Sequence, residues 1–385
     1  MKLVLYKNQS NVSYDITEYV DGITWGGDYQ QVARTLSIGL LYPTNDMNYD
    51  RVNIEIGDKI RFYEYDLELF RGIVWTKNID SSSEFIKVTC YDDLVYMTKN
   101  QIAKVYTGVT PESVTKQLCN EFNITAGSLA STGYSRNYVA LGQTPYDVIM
   151  ASYTHASKQN GKKYIPRMMN GKLHVIEKGT SQANVILDPK YNLQNIKYDQ
   201  NLDKMINSVI VYKSDDGTTV LTETKQDWIN KYGKLQKALT YTEDEDNRSL
   251  AKKEISDLER KAEAKAFGHP GCIAGNIVYV RDEHTGLIGK FYIDSDSHTW
   301  NQGVHNMTLT LNFENLMDEK ELEEELTKND TEEDSGSSSE ESSSNNSSAT
   351  NKWYHTNIPG HTPDSVNPGL NTTTAVDGWT HTNAH

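Results

Sequence analysis

Cysteine is scarce: the 385 residues hold three, Cys90, Cys119 and Cys272. An odd count without a C-x-x-C pair excludes a disulfide framework and a cysteine zinc site, and predicts reduced core thiols in a cytosol. Long apolar runs are missing too. No segment approaches the roughly 18 consecutive apolar residues of a membrane span, and the opening MKLVLYKNQS has no signal-peptide apolar region, so a soluble chain made without secretion is expected. Positive charge is in deficit, with 38 Lys/Arg against 53 Asp/Glu for a net −15. Twelve of the acids crowd into residues 318–341, leaving 35 Lys/Arg and 39 Asp/Glu in residues 1–317. A mildly acidic body argues against specific nucleic-acid recognition, which needs a basic face to displace phosphate counterions. Phosphate-loop, zincin, nucleophile-elbow and dinucleotide motifs are all lacking, so neither a cofactor nor catalysis is expected.

What is present is strand. KLVLY (2–6), RTLSIGL (34–40), DKIRFYEY (58–65), ELFRGIVW (68–75) and EFIKVTCY (84–91) are β-branched and aromatic, separated by Gly, Asn, Asp and Ser clusters. They predict a first β module over 1–91, a small barrel or sandwich. From 92 to about 190 the pattern becomes mixed α+β. Thr110-Pro111 and Thr144-Pro145 each place a capping side chain before a proline at the first helical position, and Asn170-Gly171 between YIPRMM and KLHVIEK predicts a hairpin. Strands return over 191–317, with a hairpin at Asp215-Asp216-Gly217 and segments GNIVYVRD, GKFYIDSD and HNMTLTLNFE, as a second β module. Within it Leu250, Leu258, Ala262 and Ala266 lie on a thin apolar stripe ending at Gly268, which predicts a long helix over 247–267. The fold class expected is therefore mixed β and α+β, two β modules bracketing a helical insertion.

The end of the chain differs. Residues 318–352 are acidic and then Ser/Asn-rich, a composition that predicts a flexible tether spanning on the order of 30 Å. Residues 353–385 carry Trp353, Tyr354 and Trp379, which read as anchors of a docking peptide.

Asp294, Asp296 and His298 alternate along one strand and could converge on a cation, yet the same letters suit polar residues at a strand end before Trp300. His381 and His385 have helical ligand spacing, but Thr-rich, Gly-interrupted surroundings oppose a helix. No metal is assigned to either group. Tyr outnumbers Phe 24 to 7, which suits half-buried sheet positions or surfaces covered by a partner.

The run Trp25-Gly26-Gly27-Asp28, Gln31, Ala33-Arg34, Gly57-Asp58, Leu69-Phe70-Arg71-Gly72 and Tyr91-Asp92-Asp93-Leu94, followed by the Thr110-Pro111 helix, resembles the baseplate hub family of contractile tails. That family serves myophages, defective prophages and phage-tail-like bacteriocins. The resemblance spans about residues 1–317. It implies a homotrimer with two tube-like β modules per chain, joining a sixfold tail tube to a threefold central spike around a channel, alongside other baseplate proteins. Such a subunit is made in the host cytoplasm and built into the tail of a virion or bacteriocin. Trp25, Gly27, Asp28, Gly57, Asp58, Phe70 and Gly72 are read as fold determinants: Gly57-Asp58 as a turn feeding a strand, Gly72 as a point of close backbone approach. The alternative is a non-enzymatic carbohydrate-binding or adhesive module, which would be a monomer that binds glycan.

Overall fold

In a computed structural model, residues 1–322 are described apart from Gln9, Asn11, Val32, residues 44–50 and Asp244. The tether beyond 322 and the anchors Trp353, Tyr354 and Trp379 lie outside the described residues.

The first strands are β1 (Lys2–Tyr6), β2 (Ser13–Asp15), β3 (Val20–Asp28), β4 (Thr35–Leu41), β5 (Lys59–Glu64), β6 (Leu67–Asn78) and β7 (Phe85–Tyr91). Alternation builds them. In β4 Leu36, Ile38 and Leu40 are buried while the residues between are half-exposed, the period of two that puts successive side chains on opposite faces. They join Ile60, Phe62, Phe70, Val88 and Cys90 in one core.

The middle of the chain holds α1 (Leu94–Lys99), β8 (Ile102–Val109), α2 (Pro111–Glu121), β9 (Thr125–Leu129), β10 (Arg136–Gln143), α3 (Pro145–Asn160), β11 (Tyr164–Met169) and β12 (Lys172–Glu177). Both predicted caps form: Thr110 accepts from the Ser113 amide and Thr144 from the Asp147 amide. The hairpin at Asn170-Gly171 also forms, with both turn residues at positive φ and Met169 paired to Lys172. The apolar faces of α2 and α3 close on β8, β10 and β12 as a separate core containing Val114, Leu118, Ile149, Tyr153 and Leu173.

The remainder comprises β13 (Gln182–Leu187), β14 (Leu193–Asn201), β15 (Ser208–Tyr212), β16 (Thr219–Thr224), α4 (Gln226–Tyr232), β17 (Gln236–Thr240), α5 (Asn247–Glu254), β18 (Glu259–Phe267), β19 (Ile277–Asp282), β20 (Leu287–Asn301) and β21 (Val304–Asn312). The long helix is corrected here. Asp246 caps a helix at the expected place, but it ends at Glu254 and residues 259–267 are strand β18 between β14 and β21. Ala262, Ala264 and Ala266 are buried and Glu263 and Lys265 exposed. The alternating period of two therefore prevails over the helix-forming preference of Ala, Glu and Lys.

Strands from both ends of the chain share one 13-stranded sheet, largely antiparallel, in the order β14-β18-β21-β20-β3-β4-β7-β6-β5-β1-β2, with β19 and β13 branching from β20. The join is β20 against β3, with Asp296 opposite Gly27, His298 opposite Trp25 and Trp300 opposite Ile23. β20 serves two cores. Phe291 and Ile293 belong to the core of the C-terminal strands and Trp300 to that of the N-terminal strands. A register shift between Ile293 and Ser295 changes the phase, so Asp294, Asp296, His298 and Trp300 become the buried set, as a β-bulge does by adding one residue.

A second correction concerns residues 318–322, assigned above to the tether. They are fastened to the middle of the chain: the Tyr146 hydroxyl donates to Asp318 at 2.7 Å, the Lys320 amide to Thr154 at 3.2 Å, and Lys163 pairs with Glu319 at 2.8 Å. Met317 and Leu322 pack into the helical core, so two apolar residues and complementary lysines override the acidic composition.

Candidate functional site

The bulge in β20 sets polar side chains in the interior where β3, β4 and β20 meet. Arg34, just before β4, donates from Nη1 to Asp296 Oδ1 at 2.9 Å and from Nη2 to Asp296 Oδ2, a bidentate pair with both side chains buried. Its guanidinium lies 4.1 Å from the Trp25 ring centroid. The space for it exists because position 27 has no side chain: a Cβ there would stand 2.5 Å from Arg34 Nη1. At Gly26 a Cβ would stand 2.7 Å from the Asp296 carbonyl oxygen. The Ala274 amide donates to Asp296 Oδ1 at 2.7 Å, so that carboxylate is well supplied with donors.

Further charges flank this pair. Lys178, 1% exposed, donates to Asp294 at 2.7 Å and to the Leu316 carbonyl at 2.8 Å, with its ammonium 4.3 Å from the Tyr29 ring centre. Asp28 accepts from the Gln30 amide at 2.8 Å, and burial pushes its carboxyl up. Asp92 accepts from the amides of Arg34 and Leu94 at 3.2 and 3.1 Å, and burial pushes it up to about 7.

Asp294 and Asp296 thus hold cations of the chain itself, Lys178 and Arg34, in the place a metal would take. His298 sits with Nε2 at 3.0 Å from the Cys272 carbonyl and Nδ1 at 3.0 Å from His305 Nε2. Burial pushes His298 down to about 4. Among the described residues no group of three or more His, Cys, Asp or Glu is placed to hold a metal ion. Burial raises the thiols of Cys119 and Cys272 to about 11 and 12 and Cys90 higher still, which keeps them protonated and poorly nucleophilic.

Trp25, Gly27 and Asp28 meet at this seam. Phe70 and Gly72 lie beside it, where a Cβ at position 72 would stand 2.2 Å from the Tyr91 carbonyl oxygen and 2.5 Å from the Phe70 ring. Gly57 and Asp58 are elsewhere. Gly57 turns at φ +92°, and buried Asp58 accepts from Lys7 Nζ at 2.7 Å and from the amides of Asn8 and Glu55 at 3.1 and 2.9 Å. Sequence reasoning passed over Lys178 and Arg167, which is 7% exposed. The available signal for Arg167 was a lone cation in the apolar strand YIPRMM.

The profile of a family described as YQBQ-like matches residues 23–312. The chain belongs to the YQBQ-like family. This YQBQ-like protein is 25% identical over 309 residues to the phage-like element PBSX protein XkdQ of Bacillus subtilis strain 168, covering 78% of this chain and 94% of the relative. Its fold is similar to that of the 43 kDa tail protein of prophage MuSo2 from Shewanella oneidensis, with TM-score 0.62, 15% identity, and coverage of 81% of this chain and 97% of that one. It is also similar to the tail protein of Neisseria meningitidis MC58, with TM-score 0.55, 13% identity, and coverage of 80% and 95%. The resemblance to tail baseplate proteins read from the sequence agrees with these matches.

Proposed function

We propose that this chain is a structural hub of a contractile tail baseplate, a homotrimeric adaptor that joins the sixfold tail tube to the threefold spike and leaves a central channel. The observation that carries the reading is the open sheet in a fold similar to that of tail proteins. Among the described residues β14 has a strand on one side only, and a nine-residue edge of that kind offers unpaired amides and carbonyls to another chain. Two β modules, residues 1–91 and 191–317, bracketing the insertion at 92–190 would give six modules in a trimer, enough to match a sixfold tube. Trp25, Gly27, Asp28, Gly57, Asp58, Phe70 and Gly72 act in this reading as fold determinants, with no catalytic role. Trp353, Tyr354 and Trp379 then anchor the spike or another baseplate protein, their tethering to the ring raising their effective concentration there.

The test is mass measurement by light scattering, followed by co-expression with tube and spike subunits. A trimer that retains both is expected, whereas a monomer that binds glycan would favour the adhesive reading. Deletion of 353–385 should leave the trimer intact and reduce spike incorporation; unchanged incorporation would remove the docking role.

A further inference from the structure

A cavity of about 230 Å³ opens beside the buried charges, between β6, the β11–β12 hairpin and the segment before β19. Three arginines line it, Arg34, Arg71 and Arg167, on walls that are otherwise largely apolar, including Leu69, Met168 and Ile273. Each guanidinium rests against a glycine: a Cβ at Gly27, Gly171 or Gly275 would stand 2.5, 2.6 or 2.9 Å from a terminal nitrogen of Arg34, Arg71 or Arg167 respectively. The positions of all three cations therefore depend on missing side chains.

Two acids, Glu68 and Asp92, also line the cavity, the carboxyl of Asp92 being raised by burial to about 7, and the three arginines differ in how they are paired. Arg71 is matched by Glu68 through two bonds of 2.9 Å. Arg34 is matched by Asp296. Arg167 is not: its guanidinium donates only to neutral oxygens, Asn276 Oδ1 at 3.2 Å and the Ala274 carbonyl, and among the described residues no carboxylate is within ion-pair distance of it. Asp296, already bound to Arg34, is the one acid whose field favours the Arg167 charge, and burial lowers this arginine to about 10. Two donors of other residues lining the cavity are also unanswered: Arg34 Nε and Trp25 Nε1 are buried without a hydrogen-bond partner. A buried guanidinium is normally paired because desolvating an uncompensated charge is costly. Buried donors beside a largely apolar cavity suit a ligand that brings an acceptor and carbon together.

We propose that this cavity binds a carboxylate carrying a short apolar arm, the anion completing the charge of Arg167 and the arm covering Leu69, Met168 and Ile273. The carboxylate belongs either to a free small acid or to an acidic side chain of a docked protein. Charge selects the anion, and the apolar walls favour a carboxylate with carbon attached over a fully hydrated ion such as phosphate.

The probe is butyrate, added to the full chain with chloride and phosphate at equal ionic strength as references. Saturable thermal stabilisation by butyrate beyond both references is expected, with affinity at least tenfold weaker in Arg167→Met and largely kept in Arg167→Lys. A butyrate response no larger than that of chloride, or one unchanged in Arg167→Met, would overturn the proposal. Should Arg167→Met fail to fold, the wild-type chain still decides. Phenylglyoxal modification of Arg71, followed by peptide mass mapping, should slow with butyrate while exposed Arg260 is unaffected; equal labelling with and without butyrate would overturn it. Adding butyrate to assembling tails separates the sources, since displacement of a protein subunit assigns the carboxylate to that subunit and unaltered assembly assigns it to a free acid.

Discussion

Replacing Asp296 by Ala tests the buried seam directly. The side chain removed holds Arg34 in two bonds and receives the Ala274 amide at 2.7 Å, with no exposure of the carboxylate. Breaking a buried pair from one side costs about 3–5 kcal/mol, because the remaining charge stays desolvated. A stranded backbone amide adds about 1–3 kcal/mol. Even the lower ends together approach about 4 kcal/mol, a large share of the roughly 5–15 kcal/mol typical of a folded domain. The strands of both chain ends share the sheet at this point, so the loss should appear in one transition of urea unfolding followed by circular dichroism. Removing both charges in Arg34→Met with Asp296→Leu should destabilise by less than the sum of the two single changes, since no buried charge is left unpaired, although the Ala274 amide still loses its acceptor. A loss below about 1 kcal/mol for Asp296→Ala, where surface pairs fall, would refute the assignment of this pair as structural. So would strict additivity in the cycle.

Three other outcomes follow from the geometry. Asp92 has its pKa raised to about 7 by burial, so the native state keeps a proton that the unfolded chain loses above about pH 4, and that contribution to stability declines as pH rises toward 7. His298, lowered to about 4, acts in the opposite sense, destabilising the fold as pH falls below 6.5; Asp92→Asn should therefore raise the gain in urea midpoint between pH 4.5 and 6.5, and an unchanged difference would refute this. Gly72→Ala should prevent soluble folding or lower the melting temperature by more than ten degrees, because the added carbon would stand 2.2 Å from the Tyr91 carbonyl oxygen; a shift under two degrees would contradict the close approach. Met317→Ala should cost about 2–3 kcal/mol and speed amide exchange in α3, where the segment 317–322 is fastened; unchanged exchange would show that the segment does not hold the helix.

Short-range chemistry is legible in the sequence. Thr110-Pro111, Thr144-Pro145 and Asn170-Gly171 act through neighbours within four residues, and their caps and turn lie where the spacing placed them. Residues 259–267 were misread because Ala, Glu, Lys and Arg all favour helix; the strand is imposed by β14 and β21 on either side, which local composition does not encode. The pairing of Arg34 with Asp296 spans 262 residues, beyond any periodicity. The bulge at Ile293 to Ser295 was hidden for a related reason: it exchanges the buried face of β20 midway, so Asp294, Asp296 and His298 look like solvent-facing polar residues when read from the alternation of the preceding half. Arg167 and Lys178 become informative only once their burial is known.

The pairing of β3 with β20 also imposes an order in time. Asp28 emerges from the ribosome well before its partner Ser295, and at about 5–20 residues per second the interval is roughly 13–53 s. Throughout it the nascent sheet exposes one side of a strand carrying Ile23 and Trp25, an invitation to pair with the wrong chain. The first strands can collapse on their own core early, but closure of that edge waits for the last strands to be synthesised, and a chain cut before about residue 301 leaves the ribosome with its most adhesive edge uncovered.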